Sequence, residues 1–170
     1  MNKICFIFPG QGSQYVGMGK NLYDSLPESK NIFDQAEKNL SGLDLKKLCF
    51  EGPIEKLTET ANSQVAILVT SIVALEALKI RYRAEGIEDT VRSCAGLSLG
   101  EYSALVASNA LEFQDAVRLV RRRGELMEAA ARNNPGTMAS ILGISAESLK
   151  EVCRETGAEI ANLNSPGQIV

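Results

Sequence analysis

The segment 96–100, Gly-Leu-Ser-Leu-Gly, places a serine between two glycines at a spacing that suits nucleophilic chemistry. In this pattern a strand runs into a sharp turn, the serine occupies the apex, and a helix begins directly after it. The glycines are needed because the backbone at the serine is strained and neighbouring segments approach closely. We interpret Ser98 as a candidate nucleophile and the Leu99 N–H as a donor for a developing oxyanion. The pattern also fits a glycine-rich turn whose serine caps a helix.

Arg123 is the candidate for binding a negative charge. The adjacent arginines Arg121 and Arg122 each have a glutamate within one helical turn, and we expect both in solvated surface pairs. Arg123 instead has Leu119 one turn before it and Met127 one turn after it, which places it on an apolar helix face. A guanidinium there needs a partner, because an unpaired buried charge is unfavourable. The pattern leaves two partners open, a carboxylate ligand bound in a bidentate way and a structural Asp or Glu.

Two glutamines are further candidates. Gln11 lies between Gly10 and Gly12, so the backbone there can turn tightly towards a ligand. It is either an ordinary polar loop residue or a residue that presents its backbone N–H to a site. The loop does not match Gly-x-Gly-x-x-Gly, which excludes a dinucleotide site. Gln64 lies near the start of a long apolar helix, and the pattern alone favours an ordinary N-terminal helix residue.

The elements that must position these side chains indicate an α/β protein. The continuous apolar run 3–8 is typical of a strand buried on both faces, as in a parallel sheet. A second strand, predicted over 90–95, delivers Ser98. Apolar spacing and turn signals predict helices over 28–40, 44–49, 63–83, 99–107 and 113–132.

The pattern changes after the Asn-Asn-Pro-Gly sequence at 133–136. A β-α-β run follows, with strands predicted over 137–142 and 159–164 and a helix over 145–156 opened by Ser145. We therefore expect two parts, 1–134 and 135–170. The last residues, 168–170, enter a further strand, and a domain that stops there leaves an exposed edge. We expect the chain to be a fragment that could dimerise through such an edge.

Composition excludes several classes of protein. The net charge of −3 gives no basic footprint for nucleic acid. The apolar run 65–75 is shorter than a membrane span and is interrupted by Glu76, which predicts a buried core helix. No metal-ligand cluster is present in the sequence, and the chain contains no histidine. The cysteines are far apart, which is typical of reduced thiols in a cytoplasmic protein: Cys5, Cys49, Cys94 and Cys153.

Four motifs in order carry a resemblance to a known family. They are Phe8-Pro9-Gly10-Gln11-Gly12-Ser13-Gln14, Gly96-Leu97-Ser98-Leu99-Gly100-Glu101-Tyr102, Arg123-Gly124 and Asn162-Leu163-Asn164-Ser165-Pro166-Gly167. With these motifs the sequence resembles malonyl-CoA:acyl carrier protein transacylase and is similar to the acyltransferase domains of polyketide synthases. The match covers essentially the whole chain but only the first part of a family member.

The resemblance implies a fold, a reaction and a site. The fold is an α/β-hydrolase-like large subdomain joined to a small ferredoxin-like one, here apparently truncated. Malonyl-CoA is the substrate, a coenzyme A thioester, acyl carrier protein is the partner, and no bound cofactor is expected. Ser98 would carry the malonyl group as an ester, for fatty acid biosynthesis. Gln11 and the Leu99 N–H would form the oxyanion hole. Arg123 would bind the malonyl carboxylate, and the further substrate-binding residues would be Gln64, Met127 and Asn162.

The sequence departs from the family pattern in two ways. Leu97 stands before the nucleophile where the family usually has histidine, and we expect this change to tune the site. The family's catalytic histidine lies beyond the part that this chain matches. A serine without a base is a poor nucleophile at neutral pH. Two other functions therefore stay open: a serine hydrolase of α/β type, and a catalytically silent module that binds acyl-CoA or carrier protein.

Overall fold

The computed structural model describes residues 4–87 and 91–170, and its contacts separate two units, Met1–Ala130 and Ala131–Val170. The first unit contains, in order, β1 (Ile4–Phe8), α1 (Lys20–Ser25), α2 (Pro27–Lys38), α3 (Leu45–Glu51), α4 (Ile54–Thr58), α5 (Thr60–Ala84), β2 (Val91–Gly96), α6 (Gly100–Ala107) and α7 (Phe113–Asn133), whose last residues enter the second unit. The second continues with β3 (Ile141–Leu142), α8 (Ala146–Thr156), β4 (Leu163–Ser165) and β5 (Gln168–Ile169). The chain is a mixed α/β protein.

Strands β1 and β2 pair in parallel, with Phe6 opposite Cys94 and Phe8 opposite Gly96. The expectation that the first strand is buried on both faces is wrong for this chain. Phe8 is buried, whereas the side chain of Ile7 is 79% exposed. The reason is that the described helices cover only one face of the strand pair, the face on which Phe6 and Phe8 join the core. The other face has no covering layer among the described residues.

Helix α5 forms the centre of the first unit. Most residues of its first half are fully buried, including Val65, Leu68 and Val69. This confirms the predicted core helix. By length and composition α5 could also cross a membrane, because its most apolar 18-residue window has a mean hydropathy of 1.6. However, 56% of that window is buried inside the protein, and a core helix passes the same test. The helix is therefore weak evidence for a membrane span.

Helices α2 and α3 close the core against α5. Phe33 from α2 packs edge-on against Tyr23 and Phe50, with ring centroids 5.7 and 5.1 Å away. Helix α3 begins at a cap, since the Asp44 carboxylate accepts a hydrogen bond of 2.9 Å from the Lys47 N–H. The Cys49 side chain on α3 is fully buried, and burial raises the pKa of its thiol to about 12, with a smaller contribution from the nearby Glu37 carboxylate.

The second unit is a small sheet with one helix. Strand β5 lies between β3 and β4 and is antiparallel to both. The strands predicted over 137–142 and 159–164 are shorter than expected, because β5 has two residues and can pair with little more on either side. The predicted opening of the helix by Ser145 is confirmed, since its hydroxyl accepts a 3.1 Å hydrogen bond from the Ser148 N–H. The division into 1–134 and 135–170 as parts of two subdomains stays a prediction.

Candidate active site

Ser98 lies at a strained turn between β2 and α6. Its φ is 52°, in the left-handed region that side-chain-bearing residues rarely adopt. A Cβ on Gly96 would lie 2.0 Å from the Gly100 carbonyl carbon, so the turn requires glycine there. Among the described residues no side-chain hydrogen bond caps the start of α6, so the interpretation of Ser98 as a mere capping residue has no support. The turn therefore holds an exposed serine hydroxyl at a helix N-terminus.

The loop that follows β1 packs against this turn. A Cβ on Gly100 would lie 2.3 Å from the Phe8 carbonyl oxygen, and one on Gly10 would lie 2.9 Å from the Leu97 carbonyl oxygen. The Leu97 N–H also donates a 3.3 Å hydrogen bond to the Phe8 carbonyl. These contacts follow from the parallel pairing, because the carboxyl ends of parallel strands meet at one edge, where ligands commonly bind in α/β sheets.

Arg123 on α7 reaches Ser98. Its Nη2 donates a hydrogen bond of 2.8 Å to Ser98 Oγ, and its Nη1 donates one of 2.6 Å to Gln64 Oε1. Its Cζ lies 5.8 Å from the ring centroid of Tyr102, within cation–π range. Tyr102 was given no role from the sequence, although it lies one helical turn after Ser98. The guanidinium thus contacts the candidate nucleophile directly.

The three adjacent arginines have different partners. Arg121 pairs with Glu125 at 2.9 Å, and Arg122 pairs with the same carboxylate at 3.5 Å. The pairing predicted for both residues is confirmed, but only Arg122 is a solvated surface residue, since Arg121 is half-buried and also donates to Asn62 Oδ1 on α5. The ion pairs found within residues 4–87 and 91–170 do not include Arg123. Of its two expected partners, the structural carboxylate is therefore not found in the described chain.

Gln64 connects Arg123 to Met127. Its side chain is fully buried, its carbonyl oxygen accepts from Arg123, and its Nε2 donates to Met127 Sδ at 3.2 Å. Gln64 does lie in the first turns of α5, as the sequence indicated, but it also turns its amide towards α7. Because a thioether is a weak acceptor, the stronger bond to Arg123 sets the orientation of this amide.

The other predicted site residues are placed as follows. Gln11 is exposed, and its Nε2 donates a 3.4 Å hydrogen bond to Thr60 Oγ1. Leu99 directly precedes α6, and N–H groups at a helix N-terminus lack acceptors within the helix. Asn162 lies in the second unit, where its N–H donates to the Val170 carbonyl at 3.1 Å. Roles of Gln11 and Leu99 in an oxyanion hole, and of Asn162 in substrate binding, stay predictions.

Gly124 helps to position Arg123. In the sequence it stood out only as the second residue of the Arg123-Gly124 motif. A Cβ at this position would lie 2.5 Å from the Ala61 Cα, so the backbones of α7 and α5 touch. The contact brings Arg123 beside Gln64, which lies one turn further along α5. A glycine inside a helix is unfavourable by itself. Its presence in the interior of α7 was the available signal for a close approach.

Glu128 also ties α7 to α5 and carried no sequence-based role. Its Oε1 accepts a 2.9 Å hydrogen bond from the Ala61 N–H in the first turn of α5. Arg121 adds a second tie, since its Nη1 donates to Asn62 Oδ1 at 2.9 Å. A carboxylate at a helix N-terminus is stabilised by the exposed N–H groups there. Glu128 therefore fixes the junction from which Arg123 projects.

The side chain that contacts Ser98 Oγ is the hydrogen-bond donor Arg123, which cannot serve as a base. An arginine guanidinium donates hydrogen bonds and cannot accept a proton. The 170 residues contain no histidine that could do so. In the part of the chain that the structure describes, no group of three or more His, Cys, Asp or Glu side chains could hold a metal ion. The arrangement can hold an anion beside a serine hydroxyl at a strained turn.

A serine on a strained strand-to-helix turn, with an arginine hydrogen-bonded to its hydroxyl, is the arrangement to compare with known relatives. Residues 5–170 match the family model described as acyl transferase domain, and the chain belongs to that family. Its curated relatives include the malonyl CoA-acyl carrier protein transacylase of Bacillus subtilis (strain 168), 51% identical over 175 residues, with 100% of this chain and 53% of the relative covered.

Solved structures agree. The malonyl CoA-acyl carrier protein transacylase from Clostridium perfringens Atcc 13124 is 39% identical, with a TM-score of 0.80 over 99% of this chain and 52% of that one. A type II PKS acyl-carrier protein in complex with its malonyl-transacylase gives 35% identity and a TM-score of 0.80, over 99% of this chain and 54% of that one. The resemblance predicted from the motifs is confirmed. The chain spans about half the length of these relatives.

Proposed function

We propose that this chain forms the nucleophile and acyl-binding part of an acyltransferase that moves a malonyl group from malonyl-CoA to the phosphopantetheine thiol of acyl carrier protein, in fatty acid biosynthesis. One observation carries the proposal. Arg123 places two guanidinium donors beside Ser98 Oγ and Gln64, and it has no carboxylate partner among the described residues. A malonyl ester on Ser98 brings a carboxylate within reach of that cation.

The reaction proceeds in two transfers. Ser98 Oγ attacks the thioester carbonyl, the Oγ–carbon bond forms, and the carbon–sulfur bond breaks to release the coenzyme A thiol, which takes up the serine proton. The thiol of the carrier protein then attacks the ester and regenerates the serine hydroxyl. A general base must move this proton in both steps. Because the 170 residues contain no histidine, a histidine base would have to come from other residues than these.

The oxyanion of each tetrahedral intermediate is assigned to the N–H groups of Gln11 and Leu99. Leu99 follows the nucleophile at the start of α6, where N–H groups point away from the helix. Gln11 follows Gly10, and Gly10 packs against the Leu97 carbonyl next to the nucleophile. One such donor is typically worth about 10²–10³ in rate.

The acyl pocket is assigned to Arg123 with Gln64 and Met127. Gln64 holds the guanidinium from the buried side, and Met127 accepts a weak hydrogen bond from the Gln64 amide. Asn162, from the motif in the second unit, is assigned to substrate binding by resemblance to the family. We assign malonyl-CoA as the acyl donor, with no bound cofactor.

The finer fold and setting are proposals of the same kind. We assign the first unit to an α/β-hydrolase-like subdomain and the second to part of a ferredoxin-like one. The partner is acyl carrier protein, and the solved complex of a type II PKS acyl-carrier protein with its malonyl-transacylase supports this assignment by similarity. The reduced thiols predicted for the four cysteines support a cytoplasmic setting.

A second candidate is a catalytically silent module that binds acyl-CoA or carrier protein. The absence of histidine from the 170 residues and the donor-only contact at Ser98 favour it for this polypeptide. A serine hydrolase of α/β type is the third alternative. It would transfer the acyl group to water and would have no need of Arg123.

Intact-mass spectrometry separates these functions. In a polypeptide extended to the length of its relatives, the transferase predicts that malonyl-CoA adds one malonyl group, that carrier protein removes it as malonyl-carrier protein, and that Ser98→Ala abolishes the adduct. A hydrolase would release free malonate at the same rate with or without carrier protein. A silent module would bind malonyl-CoA and form no adduct, even in a polypeptide extended to the length of its relatives.

Arg123→Ala tests the acyl selection. Loss of a charge-assisted hydrogen bond costs about 1.5–3 kcal/mol, so in a full-length protein carrying these residues malonyl transfer should fall about tenfold to a hundredfold. Acetyl transfer should hold or rise, because acetyl has no carboxylate to lose. Arg122→Ala is the matched control, since its side chain is 67% exposed and pairs with Glu125 on the surface. Equal losses for malonyl and acetyl in Arg123→Ala would contradict the assignment.

A further inference from the structure

Both terminal nitrogens of Arg123 are already engaged by the protein. Nη1 donates to the buried Gln64 Oε1 at 2.6 Å, and Nη2 donates to the exposed Ser98 Oγ at 2.8 Å. The two bonds differ in setting. The Gln64 bond lies where no solvent reaches the glutamine side chain, whereas Ser98 faces solvent. A ligand entering the site can therefore reach the Arg123–Ser98 hydrogen bond, whereas the Arg123–Gln64 hydrogen bond is shielded from it.

We propose that the Arg123–Ser98 hydrogen bond is a latch on the nucleophile, and that a carboxylate on the acyl group opens it by taking over the Nη2 donor. This inference rests on the proposed acyl-transfer function and deepens it. It assigns the selection of carboxylate-bearing acyl groups to an exchange of hydrogen bonds before the chemical step, in addition to the binding of the malonyl group itself.

The physical basis is competition between Ser98 Oγ and a carboxylate for the exposed Nη2 of Arg123. A serine hydroxyl has two lone pairs, and an N–H that points at Oγ occupies one of them. An N–H of a cation that points at Oγ also draws electron density towards itself and makes the oxygen a weaker nucleophile. A carboxylate is the better acceptor for a guanidinium, since the bond joins opposite charges and can be bidentate. Malonyl offers this exchange, and acetyl does not.

The rest of the guanidinium stays in place during the exchange. Gln64, whose side chain is fully buried, accepts from Nη1, while the Tyr102 ring centroid lies 5.8 Å from Cζ. The Gln64 contact holds one end of the guanidinium from the buried side. Only the Nη2 bond is exposed to an incoming ligand, so the latch can open without loss of the carboxylate-binding group.

The test is the affinity for free malonate, measured by isothermal titration calorimetry on the 170-residue protein. If malonate takes over the N–H that points at Ser98, wild-type protein gives up one hydrogen bond on binding, whereas Ser98→Ala has none to give up. Ser98→Ala should therefore bind malonate about three- to tenfold more tightly than wild type, the worth of one net hydrogen bond. Arg123→Ala should lose the binding. Ser108→Ala, an exposed serine at the end of α6, is the control and should match wild type.

Each outcome decides between two ideas. Equal or weaker malonate binding by Ser98→Ala, with binding still lost in Arg123→Ala, overturns the latch and leaves the carboxylate site standing. No malonate binding by any variant contradicts the proposed function itself. Ser98→Gly serves as a second variant without Oγ, because glycine tolerates the φ of 52° at this turn without strain. Circular dichroism verifies that each variant is folded before its titration is interpreted.

Discussion

Gly12 shows at the scale of one residue how backbone conformation can matter more than space. A Cβ there would meet nothing within 4 Å, yet the φ of 104° is one that L side chains rarely adopt. The same loop is held by two hydrogen bonds, from the Gly12 N–H to Gln14 Oε1 at 2.9 Å and from Ser13 Oγ to the Gly10 carbonyl at 3.0 Å. Its shape, and with it the position of Gln11, depends on that glycine.

Gly12→Val should therefore reduce turnover more than it reduces coenzyme A binding. Valine is β-branched and resists a positive φ, so the loop would move the Gln11 N–H away from the oxyanion. The expected loss in rate is about 10²–10³, the worth of one oxyanion donor. The measurement is single-turnover transfer in a full-length protein carrying these residues. Gly136→Val is the control, because that glycine has open space and no positive φ. Unchanged turnover with weakened binding would instead indicate a loop that positions the ligand.

Cys49 gives a pH-dependent prediction. Burial raises the pKa of its thiol from 9.0 to about 12 in the folded protein. The unfolded chain therefore loses this proton first, and the free energy of unfolding falls as the pH rises from about 9 towards 12. In this window the wild-type slope should exceed that of Cys49→Ala by up to about 1.4 kcal/mol per pH unit. Urea unfolding at several pH values measures both slopes, and parallel curves above pH 9 would refute the assignment.

At the scale of helices, the junction between α7 and α5 positions Arg123 and Gln64. The two helices touch backbone to backbone at Gly124 and Ala61, and the Glu128 carboxylate accepts the Ala61 N–H at 2.9 Å. This junction lies one turn from Gln64 on α5 and directly beside Arg123 on α7. The direction of Arg123 is therefore a property of two packed helices, and a change far from Ser98 can alter the site.

Gly124→Ala should disturb both stability and malonate binding. The added Cβ would lie 2.5 Å from the Ala61 Cα, a backbone atom that cannot rotate away. Overpacking of this kind typically costs about 1–3 kcal/mol, and separation of the helices weakens the Arg123 contacts with Ser98 and Gln64. Urea unfolding and malonate titration measure the two effects. Gly136→Ala, which adds the same methyl group in open space, should change neither, whereas wild-type values for Gly124→Ala would contradict the junction.

The molecule as a whole exposes apolar surface beside its parallel strands. Ile7 is 79% exposed, and an apolar groove of about 390 Å³ runs along β1. Residues that line the groove include Cys5, Ile7, Tyr15, Ala74 and Leu78. Open strand edges and contiguous apolar surface favour association with another chain.

We therefore expect the 170-residue polypeptide to self-associate and to be nearly inactive in transfer. Ile7→Lys should shift sedimentation velocity profiles towards monomer, because a charge on the open face opposes pairing. Leu119→Lys is the control, since it adds the same charge at a residue of α7 that is 51% exposed. A wild-type monomer with full transfer turnover would overturn this expectation, and would require a base other than histidine near Ser98.

Much of the chain could be predicted from the sequence because the deciding interactions are local. The strained turn at Ser98 is specified by glycines two residues away on either side. The α8 cap is specified by Ser145 and the N–H three residues after it. The core helix α5 is specified by a long apolar run. In each case steric limits or hydrogen bonds act within a few residues, so the pattern contains the cause.

The tertiary structure alone decided which groups meet. Arg123 and Gln64 are 59 residues apart in sequence, and Arg123 and Ser98 are 25 apart. The sequence left open whether a structural carboxylate paired with Arg123, and it overestimated the burial of the first strand and the length of the strands in the second unit. These outcomes depend on which surfaces other elements cover and on how far a partner strand extends. Contacts between residues far apart in sequence arise from packing, as between Gly124 and Ala61. The sequence around one residue of such a pair does not show where the other residue will lie.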